Sequence, residues 1–157
     1  MFKQRFAELA DHELFSTCRR STLAQIDRLG YPLDVEAGRV LCREGAYGAE
    51  FFILISGLLE VCTASGATAL LRPGAWFGET ALLDDGFRRA TVTARTCATV
   101  LVFTRSEFNQ LLHLVPGMRR RLEAMSTKVV AGTRPTAQPW YQPLPRSLLA
   151  TAPCTRW

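Results

Sequence analysis

The chain has 157 residues, of which 48% are hydrophobic and 21% charged; this excludes a disordered chain and fits one domain able to bury its own core without a structural metal. The net charge of +5 comes from 19 basic and 14 acidic residues. Arg134, Arg146 and Arg156 lie in a C-terminal stretch without Asp or Glu, so the rest is nearly balanced and a dedicated nucleic-acid face is not expected.

In chain order, the N-terminal MFKQRFAELADHE is helical and charged; it has no apolar h-region, so no secretory signal is expected. Phe2, Phe6, Leu9, Leu14, Phe15, Leu23, Ile26 and Leu29 recur at roughly helical spacing through residues 2–29, and Gly30 with Pro32 ends that run. From 31 to 104 the texture changes to short β-rich stretches: YPLDV, RVLCREG, EFFILISGLLEVCT, TALLRPG, RATVTAR and CATVLVFT. Glycines 38, 45, 48, 57, 66, 74, 78 and 86 fall between or at the ends of these stretches. Many short strands with regular turns predict a barrel or jelly roll rather than a parallel α/β sheet. Helix returns at Ser106, read as an N-cap, with Phe108, Leu111, Leu112 and Val115 on one face. Pro116-Gly117 breaks it, and a second helix from about 118 to 131 carries Leu122, Met125, Val129 and Val130. The rest is Pro-rich and reads as a flexible tail in which Trp140 and Tyr141 are the adjacent large aromatics.

No apolar run approaches the roughly 18 residues of a membrane helix, the densest being Phe51–Ile55. The five cysteines, at 18, 42, 62, 97 and 154, are odd in number and irregularly spaced, without a C-x-x-C, and are expected to be reduced thiols. The two histidines, His12 and His113, have no second imidazole at ligand spacing, so no metal site is expected. No nucleophile–base constellation is visible, and catalysis is not expected.

The stretch with chemistry is Trp76–Ala94, WFGETALLDDGFRRATVTA. Gly78 removes a side chain where the backbone could approach a ligand. Glu79-Thr80-Ala81-Leu82-Leu83 reads as a short helical turn whose first N–H groups lack partners within it, a setting that suits an anion. Arg88, five residues past Leu83, can give two-pronged hydrogen bonds to a phosphate. Glu79, at the head of the turn, can accept from a sugar hydroxyl. Backbone N–H groups, an arginine and a glutamate together suit a sugar phosphate with a free hydroxyl. The competing reading is a surface turn closed by a Glu79–Arg88 salt bridge.

This stretch resembles the phosphate-binding cassette of the cyclic nucleotide-binding domain family, whose pattern is F-G-E-x-A-L, a short variable stretch, then R-x-A-T or R-x-A-S. The chain matches it at Phe77, Gly78, Glu79, Ala81, Leu82, Arg88, Ala90 and Thr91. Upstream, Glu36-Ala37-Gly38 with Val40, Arg43-Glu44-Gly45 and Phe51–Gly57 are similar to the family's turns and strand. Downstream the likeness runs through Leu101–Phe103 and the helix from Ser106, about residues 10–130 in all. The resemblance implies a mainly β fold with flanking helices: an antiparallel β-roll or jelly-roll barrel with N-terminal helices (1–30), a nucleotide-binding roll with lid helices (31–131) and a tail (132–157).

It also implies a ligand site. Glu79 would accept from the ribose 2′-hydroxyl, and Arg88 would pair with the cyclic phosphate. Gly78, Ala81 and Leu82 would offer backbone N–H groups, with Thr80, Arg89, Ala90 and Thr91 completing the cassette. The helix from about 118 would close over the base through Leu122, Met125 and Val129, the alternative for those three being core packing. Trp140 or Tyr141 would cap the base if the tail reaches it. Two departures stand out. Phe87 occupies the place where the family often has Pro, and Arg89 the place where a Thr goes with cyclic GMP preference. Arg89 favours cyclic AMP over cyclic GMP, and as it begins the strand Ala90–Ala94, where successive side chains alternate, it is expected to point away from Arg88. The resemblance implies a stand-alone cytoplasmic sensor without a cofactor, partnered by its nucleotide and an effector protein, with a homodimer allowed. Its rivals are a regulator whose DNA-reading domain lies elsewhere, a scaffold that binds no nucleotide, and a receptor for another anion.

Overall fold

The computed structural model describes residues 9–130 and 141–142. A 3-10 turn at Glu13–Phe15 precedes α1 (Arg20–Leu29). The strands are β1 (Tyr31–Val35), β2 (Val40–Cys42), β3 (Glu50–Ser56), β4 (Leu59–Cys62), β5 (Thr68–Leu71), β6 (Trp76–Phe77), β7 (Thr91–Ala94) and β8 (Ala98–Thr104). The short helix α2 (Glu79–Leu83) lies between β6 and β7, and α3 (Arg105–Leu114) and α4 (Met118–Val130) follow β8. A last two-residue strand, β9 (Tyr141–Gln142), pairs with β5.

The strands form two antiparallel sheets, ordered β1-β8-β3-β6 and β2-β7-β4-β5-β9. The architecture is therefore mainly antiparallel β with flanking helices, as expected. The run Phe51–Leu54 shows why. Successive strand side chains point to opposite faces. Phe51 and Ile53 enter a cluster with Leu9, Phe15, Ile26, Phe108 and Leu122 from the helical layer. Phe52 and Leu54 enter a second cluster between the sheets with Leu59, Leu71, Val92 and Val100. On β8, Leu101 and Phe103 face the helices, and Val100 and Val102 face the other sheet. Both faces are buried, so these strands read as continuous apolar runs instead of alternating ones.

Several expectations are corrected in detail. The EFFILISGLLEVCT stretch is two strands, β3 and β4, parted at Gly57, whose φ is +87°. Helix α3 is capped by Thr104, not Ser106. The Thr104 hydroxyl accepts from the Glu107 N–H, and the Glu107 carboxylate accepts from the Thr104 N–H, a reciprocal capping box that satisfies two orphan donors. Strand β7 begins at Thr91, not Ala90. Cys18, Cys42 and Cys62 are free, but Cys97 is disulfide-bonded. Irregular spacing argues against a framework of bridges; it does not tell which two thiols the fold brings together.

His12 is buried against the rings of Phe15 and Trp76, with Nδ1 accepting from the Leu14 N–H. Burial pushes its pKa down to about 4, so it is a neutral core residue. Among the described residues no group of His, Cys, Asp and Glu could hold a metal ion, and no helix is long and apolar enough to cross a membrane.

Candidate functional site

The site is built where two loops cross. Strand β6 is followed by Gly78, whose φ of +90° starts α2. A Cβ there would lie 2.7 Å from the Glu50 carbonyl oxygen and 2.8 Å from Arg88 Nη1, so the position requires glycine both for backbone angle and for space. Helix α2 packs against β3 and α4. Ala81 is buried, and Leu82 packs against the helix-side cluster. After α2 the chain turns through Asp84-Asp85-Gly86, where Asp85 Oδ1 accepts from the Phe87 N–H at 3.1 Å.

The returning segment is laced to the loop between β2 and β3. The Arg88 N–H donates to the Ala46 carbonyl at 2.8 Å, the Gly45 N–H to the Arg88 carbonyl at 2.9 Å, and the Gly48 N–H to the Gly86 carbonyl at 2.8 Å. Tyr47 and Phe87 sit opposite each other at this crossing, their rings edge to face at 6.3 Å. The hydroxyl of Thr91 accepts from the Glu44 N–H.

This lacing delivers Arg88 into the protein. Its side chain is 6% exposed. Nη1 donates to two carbonyls, Glu50 at 2.9 Å and Gly78 at 3.2 Å, and Nη2 pairs with Glu50 Oε2 at 3.1 Å. The guanidinium carbon lies 5.7 Å from the centre of the Phe52 ring. Gly48 makes room for it: a Cβ there would fall on the guanidinium itself, with Arg88 Nε nearest. The Glu79–Arg88 salt bridge of the competing reading is therefore not the one that forms; the carboxylate on Arg88 is Glu50.

The other residues of the cassette fall around this centre. Glu79 is half-buried at the head of α2, where the Thr80 hydroxyl lies 3.4 Å from its Oε1. The Cys42 thiol reports on the shared neighbourhood. Burial pushes it up to about 11; Arg88 acts to lower it, and Glu50 and Glu79 to raise it. Ala90 and Thr91 lie at the mouth of β7, both half-buried. Arg89 points away from Arg88, as expected, though both residues precede β7. Its guanidinium is exposed and pairs with Asp84 at 2.7 Å and Asp85 at 3.1 Å, clasping the turn outside the site. Leu122 is fully buried in the helix-side cluster and serves as packing there. The side chains of Met125 and Val129, and the whole of Trp140, lie outside the described residues. Tyr141 belongs to β9 at the edge of the five-stranded sheet.

Two residues of the site were missed in the sequence, Glu50 and Gly48. Glu50 opens the apolar strand β3 and reads as its polar boundary. Gly48 is the one glycine of the β region, among those singled out above, that keeps an ordinary φ; its reason is a side chain forty residues away.

The model of the cyclic nucleotide-binding domain matches residues 32–114, more than half of the chain. The chain belongs to the cyclic nucleotide-binding domain family. Among curated proteins, this domain is 38% identical over 131 residues to an acetyltransferase, Pat, of Mycolicibacterium smegmatis, a match that covers 81% of this chain and 39% of that protein. It is 33% identical over 115 residues to a cyclic nucleotide-gated potassium channel of Mesorhizobium japonicum, covering 73% of this chain and 32% of the channel. The chain thus spans less than two fifths of the length of these relatives. Among solved structures, the domain is similar to a protein described as PKAR CBD2 with bound Sp-2Cl-cAMPS. The TM-score there is 0.73 at 23% identity, over 86% of this chain and 93% of that one. It is also similar to the catabolite activator protein of Thermus thermophilus, with a TM-score of 0.65 at 23% identity, over 76% of this chain and 58% of that one. At such identities the likeness to these structures concerns the fold.

Proposed function

We propose that this domain is a regulatory sensor that binds cyclic AMP in preference to cyclic GMP. Arg88 is the observation that carries the reading. A buried arginine, fixed by two backbone carbonyls at the N-terminal end of α2, is a preorganised partner for one phosphate anion. Glu79, one residue into α2, is the acceptor for the ribose 2′-hydroxyl, and Gly78 lets the ligand approach the backbone. Related proteins give the same direction: one solved relative is described as cAMP-bound and another carries a cyclic AMP analogue. The preference for cyclic AMP rests on Arg89. Its guanidinium is committed to Asp84 and Asp85 outside the site, and it offers no hydroxyl to a guanine. Calorimetric titration of the purified chain against cyclic AMP, cyclic GMP and linear AMP tests the reading. Cyclic AMP should bind most tightly; failure of every cyclic nucleotide to bind would refute the assignment, and tighter cyclic GMP would refute the selectivity.

The output runs through α4. This helix packs on α2, and Gly117, with φ +81° and open space around it, lies at its start. A ligand shifts α4 only by binding one of its positions better than the other. Amide exchange over 118–130 is expected to slow when cyclic AMP is added. Equal protection with and without ligand would remove α4 from the switch. Because the chain spans so little of its curated relatives, we read the domain as the sensing part of a larger regulatory system, with an effector protein receiving the change.

A further inference from the structure

We propose that Glu50 is a built-in counter-anion for Arg88, which an incoming phosphate must displace, and that this exchange sets how tightly the domain holds its ligand. The proposal deepens the ligand reading above and rests on it.

Each partner of Arg88 has a different freedom to leave. The carbonyls of Glu50 and Gly78 belong to the backbone at the start of β3 and just after β6, and they hold Nη1 in place. Phe52 and Gly48 shape the slot around the guanidinium. Among the hydrogen-bond partners of Arg88, the carboxylate of Glu50 alone is on a rotatable side chain. It is 46% exposed, whereas Arg88 beneath it is 6% exposed. Its other hydrogen bond is a long one, 3.3 Å from the Ala49 N–H. The carboxylate is therefore the outer cover of a buried cation, and rotation about its own side-chain bonds takes it away while the backbone stays still.

The charge balance makes this an exchange. A buried cation left without a counter-ion is costly, so Arg88 is neutralised before any ligand arrives. The phosphate of a cyclic nucleotide carries one negative charge, as does Glu50. Binding therefore replaces one anion by another on the same guanidinium, and the ligand gains only the difference. Glu50 also repels the phosphate from close range until it rotates out. A residue with this role tunes affinity; it does not create the site.

The test compares the wild-type chain with Glu50→Gln, which keeps the size and an acceptor oxygen but removes the charge, and with Glu50→Asp, which keeps the charge but shortens its reach. Cyclic AMP is titrated into each, and unfolding temperature is measured with and without millimolar inorganic phosphate. Glu50→Gln should bind cyclic AMP about tenfold more tightly, with Glu50→Asp between it and the wild type. Without ligand, Glu50→Gln should melt lower than the wild type, and inorganic phosphate should raise its melting temperature more than that of the wild type. Unchanged or weaker binding by both variants would overturn the proposal and make Glu50 a structural partner of Arg88. If no form binds a cyclic nucleotide, the ligand reading fails; the phosphate effect on melting then decides the counter-anion proposal alone, supporting it if confined to Glu50→Gln and overturning it otherwise. If Glu50→Gln does not fold, Glu50→Asp carries the same comparison, with tighter binding and phosphate-dependent melting expected and their absence overturning the proposal.

Discussion

Arg88→Leu is expected to lower the affinity for cyclic AMP about ten- to a hundredfold, because a charge-assisted hydrogen bond contributes roughly 1.5–3 kcal/mol and each 1.4 kcal/mol is a factor of ten. Two features of the site bring the loss toward the upper end. The leucine offers no donor to a phosphate, and it leaves the Glu50 carboxylate without its cation, close to where the phosphate must come. The fold should lose a comparable amount. The carbonyls of Glu50 and Gly78 give up the Nη1 donor, which costs about 1–3 kcal/mol if they stay dry. Titration calorimetry and urea unfolding on the same variant separate the two effects. Unchanged affinity in a folded Arg88→Leu protein would remove Arg88 from the ligand site.

Gly57→Ala is expected to destabilise the domain by about 3 kcal/mol, through two costs that act together. The residue has φ +87°, where a side chain costs roughly 1–2 kcal/mol. A Cβ would also lie 2.3 Å from the Cys97 carbonyl oxygen and 2.6 Å from Ala98 Cα, and overpacking of this kind costs typically 1–3 kcal/mol. The obstructing atoms include backbone at the start of β8, which pairs with both β1 and β3, so they cannot turn aside as a flexible side chain would. The comparison variant is Gly66→Ala. Its φ is +84°, but nothing lies within 4 Å of the new atom, so only the conformational cost applies, about 1–2 kcal/mol. Chemical unfolding of both variants checks the difference. Equal losses would mean that the Cys97–Ala98 backbone yields.

The fold was legible because its signals are short-ranged. Doubly buried strands leave runs such as Phe51–Ile55, and left-handed turns leave glycines such as Gly57, Gly74 and Gly86. A strand of two residues, β6, leaves no such trace; it exists because Trp76 and Phe77 pair with Ile53 and Phe52. The N-cap of α3 was placed two residues late because Ser106 is a good cap by type. The reciprocal bonding of Thr104 and Glu107 makes the earlier position better. The cassette was legible as a motif, since its glycine, glutamate and arginine stand within ten residues of one another in the chain.

By itself, the sequence determined the class of fold, the position of the cassette and the residue types that meet a phosphate, because apolar periodicity, left-handed glycines and a compact motif are all written within a few turns of chain. The tertiary structure alone decided what Arg88 touches before a ligand arrives. Its counter-anion is 38 residues away in sequence, and the slot it occupies is opened by Gly48 on the loop just before that residue. Glu79, the nearer carboxylate in the motif, is not that partner. The pairing follows from the backbone bonds that lace Gly45, Ala46 and Gly48 to Gly86 and Arg88, a long-range register that no local pattern encodes.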